Sequence, residues 1–221
     1  MAAVQTMAPA DVPQRNVHAD DILQFTPKTY GDWRDDFHKY GCTVVKGVIT
    51  PERAAYYREK QIEWLKKFDL GFDENDKSTW TAEHLPYSFK GGMYFLYGLT
   101  HENFIWEARC EPGVIDVFAK LWEDEELIVA FDGMNISFPQ RADVKWSPWP
   151  HCDQAPKRKG MQSVQGLLNF APNGPKDGGL MLMKGASNLF DEFFATKRQS
   201  FAHEDAPPAD MEFEDHFLFC E

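Results

Sequence analysis

The residues in this chain best suited to chemistry lie in Trp146 to Pro156, WSPWPHCDQAP, where His151-Cys152-Asp153 places an imidazole and a carboxylate two positions apart. On a strand, side chains two apart share a face, so His151 and Asp153 would project together while Cys152 turns away. Such a pair supplies two thirds of a 2-His-1-carboxylate facial triad, which holds a ferrous ion and leaves three coordination positions for substrates. The third ligand must come from another part of the chain.

Spacing alone is a weak signal, because H-x-D occurs three times: at His18-Ala19-Asp20, His151-Cys152-Asp153 and His203-Glu204-Asp205. The first copy falls in a stretch expected to be a mobile arm and the third in an acidic, proline-containing loop. Neither setting gives the fixed geometry a metal site requires. The central copy sits beside Trp146, Trp149 and Pro150, which can form an apolar wall, and precedes two expected strands. Two readings stand for it on spacing: metal ligation, or a hydrogen-bonded pair at a strand end.

Composition narrows the classes. The 221 residues, 43% hydrophobic, suffice for one domain with a substantial core. A formal net charge of -12 argues against nucleic acid and against anionic membrane surfaces as partners, since both require a positive face. Cys42, Cys110, Cys152 and Cys220 are widely spaced without a C-x-x-C pair, the pattern of reduced thiols inside a cell. The N-terminus lacks the basic and apolar regions of a secretory signal, and no apolar run approaches a membrane span, so a soluble cytoplasmic protein is expected. Phosphate-loop, dinucleotide and nucleophile-elbow motifs are absent from the sequence.

The elements that would position the central pair follow in order. Residues 1–20 read as the mobile arm and 21–221 as a single domain. Tyr30 to Tyr40 reads as a short helix stopped by Gly41, and Cys42 to Val48 as a strand. Thr50-Pro51 starts an amphipathic helix with Ala54, Tyr57, Gln61, Trp64, Leu65 and Phe68 on its apolar face. Residues 69–76 form an acidic loop. Residues 90–97 suit either a strand or a close-packed turn. Glu102 to Arg109 and Pro112 to Trp122 read as helices, the second turning Val114, Ile115, Val117, Phe118, Leu121 and Trp122 inward. Asp132-Gly133 predicts a tight hairpin between strands Leu127 to Phe131 and Met134 to Phe138. Gln162 to Phe170 alternates, with Gln165, Leu167 and Asn169 on one face and Val164, Leu168 and Phe170 on the other. Leu180 to Lys184 reads as a buried strand, Leu189 to Phe194 as a helical turn, and Phe217 to Cys220 as the start of another strand.

WPHCDQAP followed by VQGLLNFAPNGPKDGGLMLMKGAS resembles the phytanoyl-CoA dioxygenase family of iron(II)- and 2-oxoglutarate-dependent oxygenases, especially its fungal members. The upstream LTHENFIWEARCEPGVIDVFAKLWEDEELIVAFDGMNI is similar to theirs as well, so the resemblance covers roughly Trp33 to Ser187. It implies an α+β, mainly β fold: a double-stranded β-helix, or cupin-like jelly roll, with flanking N-terminal helices. It further implies His151 and Asp153 as iron ligands, with Fe(II), O2 and 2-oxoglutarate as cofactor and cosubstrates. The reaction class would be oxidation of an unactivated C–H bond of a small organic molecule by hydroxylation, desaturation or ring formation, with release of succinate and CO2, in secondary metabolism. Asn169 and Gln165, on one face of the following strand, are candidates to bind the cosubstrate; Trp149 and Gln154, flanking the ligands, are candidates to line the substrate. Lys157-Arg158-Lys159 reads as a solvated basic face, which next to the site could also attract an anionic substrate.

Two departures accompany the resemblance. Gly185-Ala186-Ser187 stands where the family has Gly-Ser-His, a histidine that is not an iron ligand. The family's distal iron histidine, and the arginine that grips the far carboxylate of 2-oxoglutarate, follow a segment like FLFCE. Here that segment closes the sequence, so both are expected beyond Glu221, in a C-terminally incomplete domain. His203 and His216, the two histidines after Asp153, sit where the family has no ligand. The alternative from a different class is a non-catalytic jelly-roll binding or scaffold domain without a complete metal site.

Overall fold

The computed structural model describes residues 28–139, 141, 143–145, 151–154, 160–174, 177, 179–197 and 218–219. Helix α1 (Trp33–Tyr40) is capped by Asp32, whose side chain accepts from the Arg34 amide, and stops at Gly41, whose left-handed φ of 72° lets its N–H bond Phe37. Residues 42–48 follow without ladder pairing, and Val44 faces solvent, so the strand expected there is not formed among the described residues.

Helix α2 (Pro51–Lys66) starts as its sequence predicts, with Thr50 Oγ1 accepting from the Arg53 amide and Pro51 in the first turn. Its apolar face buries Tyr57, Trp64 and Leu65. Trp64 meets Phe68 at 4.8 Å and Tyr94 at 5.4 Å between ring centroids, both edge-on, as aromatic quadrupoles prefer. Phe72, Leu85, Leu99, Met134 and Phe138 complete this core with Phe104 and Ile105 of α3 (Asn103–Arg109).

Helix α4 (Pro112–Trp122) lies where the sequence places it, but among its apolar residues only Leu121 is buried and Ile115 is 45% exposed. Gly113 accounts for its close approach to the chain before α2, since a Cβ there would collide with the Val48 carbonyl. The N-terminus of α5 (Ala186–Lys197) is tied to the end of α1: the Gly185 amide donates to the Tyr40 carbonyl at 2.7 Å, and Asn188 Nδ2 donates to that of Lys39 at 3.0 Å.

Extended pairing among the described residues consists of two short antiparallel ladders. Strand β1 (Met93–Tyr94) pairs with β2 (Met134–Asn135), Met93 opposite Asn135 and Tyr94 opposite Met134. Strand β3 (His151–Cys152) pairs with β4 (Leu218–Phe219), His151 opposite Phe219 and Cys152 opposite Leu218. The hairpin expected at Asp132-Gly133 is therefore replaced by a long-range pairing. Gly133 is needed for close approach instead: a Cβ on it would lie 2.5 Å from the Tyr94 carbonyl and from the Phe95 ring.

Arg141, 8% exposed, fastens the loops around β1. Its Nη1 donates to the Gly91 carbonyl at 3.1 Å, and its Nε and Nη2 form a fork with Asp143 at 3.0 and 2.6 Å, while the Ala82 amide also donates to Asp143. Bonding to Arg141 holds the Asp143 carboxyl down at about 2.

Residues 180–183, expected as a buried strand, are instead unpaired and between 59% and 79% exposed. A continuous apolar run states only that something apolar should cover it, and nothing among the described residues does.

Candidate metal centre

The His151 and Asp153 side chains come together at the end of β3: His151 lies on the strand and Asp153 in the bend that follows Cys152. His151 Nε2 stands 3.2 Å from Asp153 Oδ1, with the side chains 25% and 37% exposed. Two ligands bound at right angles to one ion, with bonds of about 2.1 Å, have donor atoms about 3 Å apart. The separation suits adjacent positions on a single metal as well as a direct contact between imidazole and carboxylate, and the pair is open enough for an ion to reach. Among the described residues no group of three His, Cys, Asp or Glu side chains converges to hold a metal.

The second oxygen of Asp153 has its own partner. Gln165 Nε2 donates to Asp153 Oδ2 across twelve residues of sequence. Gln165 reaches it because residues 162–170 keep the predicted alternation without joining a ladder: Val164, Leu168 and Phe170 are half-buried, whereas Gln165, Leu167 and Asn169 are exposed.

Two contacts on the inner face fix this segment. The Phe170 ring lies 5.0 Å from that of Tyr57, and Gly166 lets the Phe118 ring of α4 approach, since a Cβ there would be 3.0 Å from Phe118 Cζ. Tyr57 is in turn immobilised by polar bonds. Its hydroxyl donates to Glu111 Oε1 at 2.5 Å and accepts from Arg53 Nη2, while Arg53 Nε reaches the same Glu111 oxygen at 2.6 Å. Burial, reinforced by the Glu111 carboxylate, pushes the Tyr57 phenol well above its ordinary range; the phenol's hydrogen bond, ahead of Arg53, draws the Glu111 carboxyl below its own. Sequence reasoning placed Phe170 and Gln165 on opposite faces but had no signal for their partners, which are 113 and 12 residues away.

The other expected site residues divide between the described and undescribed parts. Gln154 is half-buried directly after Asp153, and Asn169 is exposed on the Gln165 face. Trp149, the basic run 157–159, His203 and His216 lie outside the described residues, as do the expected N-terminal arm 1–20 and Cys220. Cys152 forms no disulfide among the described residues. No helix among the described residues is long and apolar enough to cross a membrane.

Comparison with known proteins extends this picture. The chain is 60% identical over 200 residues to the Ava biosynthesis cluster protein O of Aspergillus versicolor, an alignment covering 90% of the chain and 64% of that protein. It is 24% identical over 205 residues to a putative phytanoyl-CoA dioxygenase of Dictyostelium discoideum, covering 75% of the chain and 58% of the relative. The likeness to the Dictyostelium protein is distant, and that to the Aspergillus protein is much nearer. It spans about three fifths of the length of the curated relatives it matches. No protein-family model matches it, and no solved structure does.

Proposed function

We propose that this chain carries the iron-binding strand of an iron(II)- and 2-oxoglutarate-dependent oxygenase built on a jelly roll, which oxidises a C–H bond of a small organic molecule in a biosynthetic pathway. The observation that carries the reading is the His151–Asp153 pair, whose donor atoms are spaced for one metal ion. The distant likeness to a putative phytanoyl-CoA dioxygenase supports the reaction class, and the nearer likeness to a biosynthesis cluster protein supports a small-molecule substrate.

In this reading His151 supplies a neutral imidazole nitrogen and Asp153 one carboxylate oxygen to Fe(II). The metal, when bound, couples oxidative decarboxylation of 2-oxoglutarate by O2 to oxidation of the substrate. The chain's own share is placement. β3 and the bend that follows it set the two donors side by side, Asn169 on the exposed face of 162–170 contributes to holding the cosubstrate, and Trp149 and Gln154 are the candidates to line the substrate.

Anaerobic titration of the full-length protein with Fe(II), followed by assay of O2-dependent succinate formation from 2-oxoglutarate, tests this. Saturable binding and succinate release are expected. Absence of both would favour the non-catalytic binding domain.

A further inference from the structure

The metal reading leaves unexplained why Asp153 engages a glutamine from a different segment. We propose that Gln165 is a positioning residue that pins one oxygen of Asp153, so that the carboxylate offers only its other oxygen to a metal shared with His151. This rests on the metal reading above and adds a role to it.

The two oxygens of Asp153 are already differentiated. Oδ1 faces His151 Nε2 at 3.2 Å, and Oδ2 accepts from Gln165 Nε2. An ionised carboxylate can only accept hydrogen bonds, so the amide nitrogen is the atom that must face it. A carboxylate free to rotate can close on a cation with both oxygens, whereas one whose outer oxygen is engaged by a fixed donor is biased to single-oxygen ligation.

That difference has a consequence for a three-ligand site on a six-coordinate ion. With one carboxylate oxygen bound, three positions stay open, enough for a chelating 2-oxo acid and one further small ligand. With both bound, two remain, and the chelate would fill them. Holding Oδ2 back is therefore a condition for binding cosubstrate and O2 together.

Gln165 is suited to this because its segment is anchored from behind. Phe170 rests on Tyr57, which has no exposed surface, and Gly166 admits the Phe118 ring directly next to Gln165 in sequence. The helices α2 and α4 thus set where the backbone that carries Gln165 runs. An outer partner of this kind typically accounts for about 10- to 100-fold in metal affinity. The amide has a second N–H and a carbonyl oxygen, so contact with a cosubstrate is compatible with the same role.

The test uses Gln165→Leu, which keeps volume without a donor, and Gln165→Glu, which replaces the donor by a second acceptor. Leu167→Ala, on the same exposed face, serves as the control. Anaerobic Fe(II) affinity should fall about tenfold or more in both Gln165 variants at unchanged thermal midpoint, and stay at the wild-type value in Leu167→Ala. At saturating Fe(II), the visible charge-transfer absorption that develops on adding 2-oxoglutarate should shift in both Gln165 variants, because the second carboxylate oxygen then also reaches the ion, a change that a purely structural role would not produce. Affinity within twofold of wild type and an unchanged absorption, while Asp153→Ala has lost binding, would overturn the role of Gln165 and leave the metal reading standing. Wild-type Fe(II) binding by Asp153→Ala would overturn both.

Discussion

The ring of Phe170 sits 5.0 Å from that of Tyr57, joining the segment that carries Gln165 to the most deeply buried tyrosine of α2. The candidate site is thereby coupled to the core through one aromatic pair. Truncating Phe170→Ala should destabilise the fold by about 2 kcal/mol, less than for a fully buried phenylalanine because the ring is only half-buried. Because the segment is then loosened, Fe(II) affinity should fall in parallel. Chemical denaturation and anaerobic titration of the same variant measure the two effects.

The three H-x-D copies make a selective prediction. Asp153→Ala should abolish Fe(II) binding, whereas Asp20→Ala and Asp205→Ala should bind as the wild type does. Equal losses in all three would mean that ligation is not confined to β3.

The Arg141–Asp143 fork should be visible as a pH dependence. The carboxyl titrates at about 2 in the folded protein, below its ordinary 3.8, so the fork stabilises the fold fully above about pH 4. That stability is lost as pH falls through about 2. The gap in thermal midpoint between wild type and Asp143→Asn should accordingly be largest above pH 4 and shrink toward pH 2. Asp143→Ala, which strands the buried Arg141 charge, should cost about 3 kcal/mol near neutrality.

Gly113 gives a prediction opposite to helix propensity. Replacing an ordinary helical glycine by alanine stabilises by about 1 kcal/mol. Here the added Cβ meets the Val48 carbonyl, so Gly113→Ala should lower the thermal midpoint instead. A raised midpoint would show that α4 can shift away from that chain without cost.

What could be read from the sequence was what local chemistry dictates. Thr50-Pro51 and Gly41 marked helix ends because capping involves neighbouring residues, and the alternation of 162–170 separated Phe170 from Gln165 before either partner was known. Asp132-Gly133 misled because the same dipeptide serves a tight turn or a close approach, and the Tyr94 carbonyl that decides between them is 39 residues away in sequence. The proximity of His151 and Asp153 was legible from their spacing, although the strand ends at Cys152 and Asp153 lies in the bend after it. The Gln165 contact was not, since it depends on how α2 and α4 seat an intervening segment.

Leu180 to Met183 has a practical bearing on handling the protein. Four consecutive apolar side chains open to water are a template for self-association, flanked on one side by the charge of Lys184. At pH 7 the net charge of -12 keeps copies apart, and at the isoelectric point near 5.0 that repulsion vanishes. Colloidal stability should thus fail on mild acidification well before the Arg141–Asp143 fork opens, so precipitation near pH 5 would be an event between folded molecules and not the onset of unfolding.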